Sequence, residues 1–268
     1  MTRRFTPPWD IENNGACCTV RDFRGSMSAS PNDVACAAAV DFARGTAALW
    51  QARLGTRLLG VYLIGSLAHG GFSRRYSDID MAIVAEDGLG PFVRYLMHAE
   101  AAKLSRQLVP MLSFFWTNRH FSVGRFPLLD RVDFLDHAVP LVERERVLPL
   151  RPSLEETRTY LRRAPFTKWA EDAQRFVSFD ALKPEDHKAY IRTLLYPARL
   201  IYSWTTGGVA SNDDAVEFLY ERRPVGLDVD LIRRALQCRR DETDPISLFP
   251  ARAALSDQVN ACARLLAS

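Results

Sequence analysis

Two short apolar runs, Leu58–Ile64 and Ile79–Val84, bracket a polar connection that opens with Gly65-Ser66 and closes with Ser77-Asp78. Neither run alternates polar with apolar residues, and both are rich in branched side chains, so each reads as a strand buried on two faces. The connection is too long and too polar for a hairpin turn. The chain therefore puts a glycine and a serine where one strand ends and two aspartates, Asp78 and Asp80, where the next begins. Alternate residues on a strand share a face, so the two carboxylates are expected to project together while Ile79 turns into the core. Two like charges on one face are unfavourable unless a cation offsets them. Paired oxygen donors on a rigid edge suit Mg²⁺, which takes one or two carboxylates and completes its shell with phosphates and water. Upstream, Gly65 permits close backbone approach to a phosphate, and Ser66 offers a hydroxyl and an amide.

Around this pair the first half of the chain is mixed α/β. Ser30-Pro31-Asn32-Asp33 has the form of a helix start, with a serine cap and proline at the first helical position. Val34, Ala38, Phe42 and Leu49 give that helix an apolar stripe, and Gly55 closes it. Helical spacing over Phe92–Leu108 is followed by an apolar strand through Met111–Trp116. From Ser153 onward the pattern is helical throughout, with helices predicted over Ser153–Ala164, Thr167–Ser178, Glu185–Thr205, Ser211–Glu221, Leu227–Arg239 and Ile246–Leu266, and breaks at Pro165, Pro184, Gly207-Gly208 and Pro224. The predicted class is α+β: an irregular N-terminal arm (1–29), a small mixed-sheet α/β domain (30–150) and an all-α helical bundle domain (151–268).

Composition narrows the partners. With 47% hydrophobic and 25% charged residues in a chain of 268, one or two packed domains are expected. Lys and Arg exceed Asp and Glu by only 35 to 32, without the polybasic excess that drives non-specific nucleic-acid binding. Met1–Asp10 has no apolar segment behind its arginines, and no apolar run approaches the ~18 residues of a membrane helix, so a soluble, cytoplasmic protein is expected. Cys17, Cys18, Cys36, Cys238 and Cys262 have no C-x-x-C spacing and read as reduced thiols.

The Gly-Ser, gap, Asp-Ile-Asp arrangement resembles the polymerase-beta nucleotidyltransferase superfamily, whose pattern is a hydrophobic residue, Gly, Gly or Ser, a gap, then D-h-D-h. The resemblance implies that Asp78 and Asp80 hold the Mg²⁺ ions that bridge nucleotide phosphates and that Ser66 contacts the triphosphate. Ser77 matches the serine of the S-D-I-D form found in aminoglycoside adenylyltransferases. Ala198-Arg199-Leu200-Ile201-Tyr202, then Thr206-Gly207, then Ser211-Asn212-Asp213-Asp214-Ala215, is similar to the helical domain of the streptomycin and spectinomycin adenylyltransferases. That similarity implies that Arg199 reaches the phosphates through its planar donor fork. Asn212 stands where the family has lysine. The implied activity is transfer of AMP from ATP to a hydroxyl of a small molecule, an aminoglycoside being the leading acceptor, with in-line attack and pyrophosphate release. Purely structural roles also exist: Ser211 as a helix cap with Asp214, and Arg199 as an ion-pair partner across the domain boundary.

The family's third carboxylate, on a later strand, is absent from Met111-Leu112-Ser113-Phe114-Phe115, and a serine hydroxyl is a poor general base near neutrality. Val132-Asp133-Phe134 has the hydrophobic-acid-hydrophobic form of a strand residue, which makes Asp133 the expected third acid, with Asp130 next. The contrary reading makes Asp130, Asp133 and Asp136 exposed turn or helix-start residues and His137 a surface group. Glu185 and Asp186, at a helix start, are candidates to meet a cationic acceptor. Two other functions stay open: a nucleotide- and Mg²⁺-binding regulatory module, favoured by the missing strand acid and by Asn212, and a nucleotidyltransferase acting on protein or RNA.

Overall fold

In the computed structural model, residues 31–267 are described. The arm, the Ser30 cap, Cys17 and Cys18 lie outside them. The first helix, α1, runs Pro31–Leu54 and feeds strand β1, Leu58–Ile64. A four-residue helix α2, Ser66–His69, begins the polar connection, and strand β2 follows at Ile79–Ala85. Then come α3 (Pro91–Leu104), β3 (Leu112–Asn118), the two-residue β4 (Gly124–Arg125), α4 (Leu128–His137) and β5 (Val139–Glu143).

The five strands form one mixed sheet in the order β4-β3-β2-β1-β5, with β2 and β3 parallel and the other pairs antiparallel. Every residue of β1 is buried, as its unbroken apolar run requires. One sheet face, through Leu58, Val61, Leu63, Met81 and Ile83, packs with α1 and α3; the other, through Leu59, Tyr62, Ala82 and Val84, packs against Phe121, Phe126 and Phe134. Four ring contacts among Tyr62, Phe121, Phe126 and Phe134 close this second layer around α4.

Here one expectation is corrected. Val132-Asp133-Phe134 is not strand but the middle of α4, and Val132, Asp133 and Phe134 are all buried. Flanking apolar residues bury an acid equally well on a helix wedged beneath a sheet, so the pattern alone did not separate the two. Nor are these acids a row of exposed turn residues, since Asp130 is half-buried and only Asp136 is exposed.

Beyond residue 153 the structure is helical: α5 (Leu154–Leu161), α6 (Ala164–Val177), α7 (His187–Thr206), α8 (Asn212–Arg222), α9 (Val229–Arg240) and α10 (Leu255–Ala267). Ser153 and Glu156 form a capping box at the start of α5. Ser211 caps α8 by accepting from the amide of Asp214 at 3.0 Å. Pro165 does not break the chain; it sits in the first turn of α6, where a missing N–H is tolerated. The helix predicted over Ile246–Leu266 is instead a 3₁₀ segment, Pro245–Ala254, followed by α10, because Pro250 interrupts the α-helical bonding. Among the described residues Cys36, Cys238 and Cys262 are buried, Cys238 and Cys262 as free thiols, and no helix is long and apolar enough to cross a membrane.

Helix α7 runs through this region with Tyr190, Leu194 and Ala198 fully buried. Pro197 lies inside it and cannot donate to the carbonyl of Thr193. That carbonyl is instead taken by the indole Nε1 of Trp169, at 2.9 Å. We expect Trp169→Phe, which keeps one aromatic ring but removes the donor and part of the indole's volume, to cost at least about 1–3 kcal/mol in urea unfolding, the penalty of a buried carbonyl left unpaired with that of the space left behind added to it. A cost near zero would mean that water reaches that carbonyl.

Candidate active site

The C-terminal end of β1, the start of β2, α4 and the α6–α7 pair enclose a cavity of about 380 Å³. Gly65, Ser66, Ser77, Asp78, Asp80, Asp133 and Arg199 all line it, and so does Asp130. Asp78 lies immediately before β2 rather than within it, while Asp80 is its second residue. Both carboxylates nevertheless reach the cavity, and their charges act on one another.

Gly65, the residue that follows β1, is the surface on which Asp80 rests. Its backbone has φ +67° and ψ −155°, a region essentially reserved for glycine. A Cβ built there would lie 2.6 Å from Oδ2 of Asp80, so the carboxylate rests directly on the glycine. Its amide does not point free into the cavity but donates to Oδ2 of Asp133 at 2.7 Å. Gly65→Ala should therefore lose about 1–3 kcal/mol of stability from the backbone alone, and it should displace Asp80 as well. Thermal melts with a Mg²⁺ titration would test this, and a fully stable variant with unchanged metal affinity would refute it.

The rest of the connection is held by the helical region. Arg239, on α9 and almost fully buried, donates to the carbonyl of Gly71 at 3.0 Å and to the hydroxyl of Ser77 at 2.7 Å. The same hydroxyl accepts from the amide of Ser73 and from the hydroxyl of Ser66. Lys188, on α7, donates to the carbonyl of Ser77 at 2.9 Å and to Oδ1 of Asp78 at 2.6 Å. Burial, with the charge of Arg199, lowers the Arg239 guanidinium to about 10, which leaves it cationic at neutral pH.

The electrostatics of the carboxylates differ sharply. Burial, then the charges of Asp78, Asp130 and Asp133, push Asp80 up to about 7, against the attraction of Arg199. Burial and the charge of Asp133 push Asp130 up to about 6, again opposed by Arg199. Burial would also raise Asp133, but its hydrogen bonds with His69 and with the Gly65 amide hold it below the ordinary carboxylate range. Asp78, Asp80 and Asp130 are thus mutually repelling oxygen donors on one wall, a donor set that fits a hard divalent cation. Ser113 pairs in register with Asp80 across the parallel strands, so the neighbouring strand offers a hydroxyl where an acid would stand beside the pair.

Facing that wall is a cationic stripe that sequence reading found only in part. Lys188, Arg192 and Arg199 line the cavity from one face of α7. Their spacing of four and seven residues is that of one helix face, a signal available before the fold was known. Among the described residues neither Arg192 nor Arg199 has a carboxylate within ion-pair distance, so the boundary ion pair considered for Arg199 does not form there. His69 and Arg239 also line the cavity, and neither belongs to a local pattern that would mark it. Glu185 is exposed on a 3₁₀ turn, and neither it nor Asp186 lines the cavity. The acid at the far end is Asp172, beside Lys168 and the stacked rings of Trp169 and Tyr196.

No protein-family model matches the chain, and no curated protein matches it in sequence. Among solved structures, spectinomycin adenyltransferase AAD(9) from Enterococcus faecialis, determined with ATP and spectinomycin, superposes over 85% of this chain and 99% of its own. The TM-score is 0.57 and the identity 12%. A chain from a toxin-antitoxin structure with AMP-PNP overlaps 37% of this chain and 73% of its own, at TM-score 0.29 and 19% identity. The chain, a mixed sheet with Gly65, Asp78 and Asp80 at one rim followed by a helical region, thus shares the fold of that adenyltransferase.

Proposed function

We propose that the protein is a Mg²⁺-dependent nucleotidyltransferase that transfers AMP from ATP to a hydroxyl of a small-molecule acceptor. The observation that carries this is that three carboxylates (Asp78, Asp80, Asp130) and the Arg192 and Arg199 guanidinium groups line one cavity, with Arg199 acting on Asp80 and Asp130. In this reading residues 30–150 form the catalytic domain and residues 151–268 the domain that closes over it. Arg192 and Arg199 bind the triphosphate oxygens through their donor forks. Asp78 and Asp80 would hold the metal, which would leave Lys188, now bonded to Asp78, free to meet the phosphates. Mg²⁺, when bound, supplies charge neutralisation along the phosphates. Ser66 and Ser77, tied to Arg239, keep the loop that approaches the triphosphate in one shape.

Asp130 takes the part of the third acid. It faces Asp80 from α4, lines the cavity and sits near the neutral range, as a base accepting the acceptor's proton needs. Asp133, ionised but committed to His69 and Gly65, positions rather than reacts. The structural neighbour, solved with ATP and spectinomycin, supports aminoglycosides as the first acceptor class to test. Trp169 and Tyr196 supply a flat apolar wall for a ring, and Asp172, now paired with Lys168 and Arg175, is the acid an amine of the acceptor would have to win from them.

A second reading, a nucleotide-binding regulatory module, is favoured by Ser113 opposite Asp80 and by Asn212. One experiment separates them: the protein, labelled ATP, Mg²⁺ and a panel of aminoglycosides, followed for pyrophosphate release. Acceptor-dependent release supports the transferase. Nucleotide binding without release across the panel supports the regulator.

A further inference from the structure

Beside the carboxylate wall lies a second cluster of different chemistry. His69, at the end of α2, and Asp133 and His137, one turn apart on α4, each offer a ligand atom, and these atoms lie within 4.8 Å of one another. We propose that His69, Asp133 and His137 form a transition-metal site, for Zn²⁺ or a similar ion, distinct from the Mg²⁺ site and pinning α2 to α4.

Four observations support it. First, two imidazoles and one carboxylate are a donor set for Zn²⁺, Co²⁺ or Ni²⁺, whereas Mg²⁺ selects oxygen ligands. Second, the supporting contacts are those that aim metal ligands: Nε2 of His137 lies 3.0 Å from the carbonyl of Val209, and Oδ2 of Asp133 accepts from the Gly65 amide at 2.7 Å. Third, the carboxylate and the His69 ring are buried, and the two rings meet edge to face with centroids 4.6 Å apart, so two of the donors are already desolvated and all three are packed together. A hydrogen bond between His69 and Asp133 accounts for that pair without a metal. It does not account for the second imidazole packed against them. Fourth, the distances are close to what coordination needs. With metal–ligand bonds of ~2.0–2.2 Å, tetrahedral ligand atoms stand roughly 3.3 Å apart, so closure asks for side-chain shifts of about an ångström.

The ion would do two things. It would tie Ser66 and Gly65, at the start of α2, to the helix that carries Asp130. With three protein ligands it would also keep a fourth position, and His69 and Asp133 both line the cavity onto which that position would open. The proposal does not depend on nucleotidyl transfer, since it is read without nucleotide.

The test uses the full chain, stripped with chelator and titrated with CoCl₂ while visible absorption and bound cobalt are measured. We expect one cobalt per chain, the d–d bands of a nitrogen and oxygen site, displacement by ZnCl₂ and no displacement by excess MgCl₂. His69→Ala and His137→Ala should each weaken binding by more than ~10-fold, the least that loss of even a supporting group costs. Asp80→Asn should bind cobalt as the wild type does. If circular dichroism shows that an alanine variant has not folded, the glutamine variant at the same position takes its place. The proposal is overturned by an absence of cobalt uptake at micromolar protein, by uptake that survives both histidine replacements, or by a thiolate charge-transfer band, which would put the ion on cysteine.

Discussion

Asp80→Asn is expected to lower nucleotidyl transfer by at least ~10²-fold, the scale on which a single charge-stabilising group acts in a closed site. The side chain keeps its size and its seat on Gly65 but loses the charge that, with Asp78, holds the metal. Mg²⁺ affinity, measured by titration, should fall with it; a turnover within a few-fold of wild type would remove Asp80 from the mechanism. Without metal the same substitution has the opposite effect on stability. The carboxylate of Asp80 is raised from 3.8 to about 7 by burial and by Asp78, Asp130 and Asp133. Between those values the folded chain retains a proton that the unfolded chain has released, so the folded state loses stability as pH rises through that window. Asparagine does not titrate. In chelator, the variant should therefore gain in Tm over wild type as pH goes from ~4 to ~8, and an advantage that shrinks or stays flat over that range would refute the account of Asp80.

The second large effect separates two acids one helical turn apart. Asp130→Asn should reduce kcat by roughly 10²–10⁴-fold, the contribution of general-base catalysis, while the melting temperature stays close to wild type or rises. Wild-type kcat should increase with pH as Asp130, raised by burial and by Asp133, loses its proton. The variant should lose part of that dependence. Asp133→Asn should behave differently, since Asp133 binds the Gly65 amide and His69 from inside the fold. Its loss should appear first as destabilisation of about 1–3 kcal/mol, because partners are left buried and unpaired. Should Asp133→Asn melt normally yet lose more activity than Asp130→Asn, the two roles would have to be exchanged.

Much of the frame was legible because it rests on local chemistry. Continuous apolar runs mark strands covered on both faces, and β1 is buried at every residue. Ser211 announced the start of α8. Where local signals compete, reading failed. The apolar neighbours of Asp133 suggested a strand, yet the segment Leu128–His137 is a helix. The extended edges β4 and β5 carry mixed residues with no run long enough to read.

The chain by itself determined that two aspartates would follow a Gly-Ser turn at the rim of a sheet, because residue spacing along extended backbone sets which side chains share a face. It also determined that a helical region would follow, from apolar periodicity alone. Only the tertiary structure decided which acid joins them, which cations oppose them and what holds the loop. Asp130 and Arg239 come to the cavity from two different helices, α4 and α9. Their approach is set by how those helices pack on the sheet and on each other, and no spacing within a single segment encodes it. The same holds for His69 and His137, 68 positions apart in the chain and brought ring to ring by the docking of α4 beneath β1.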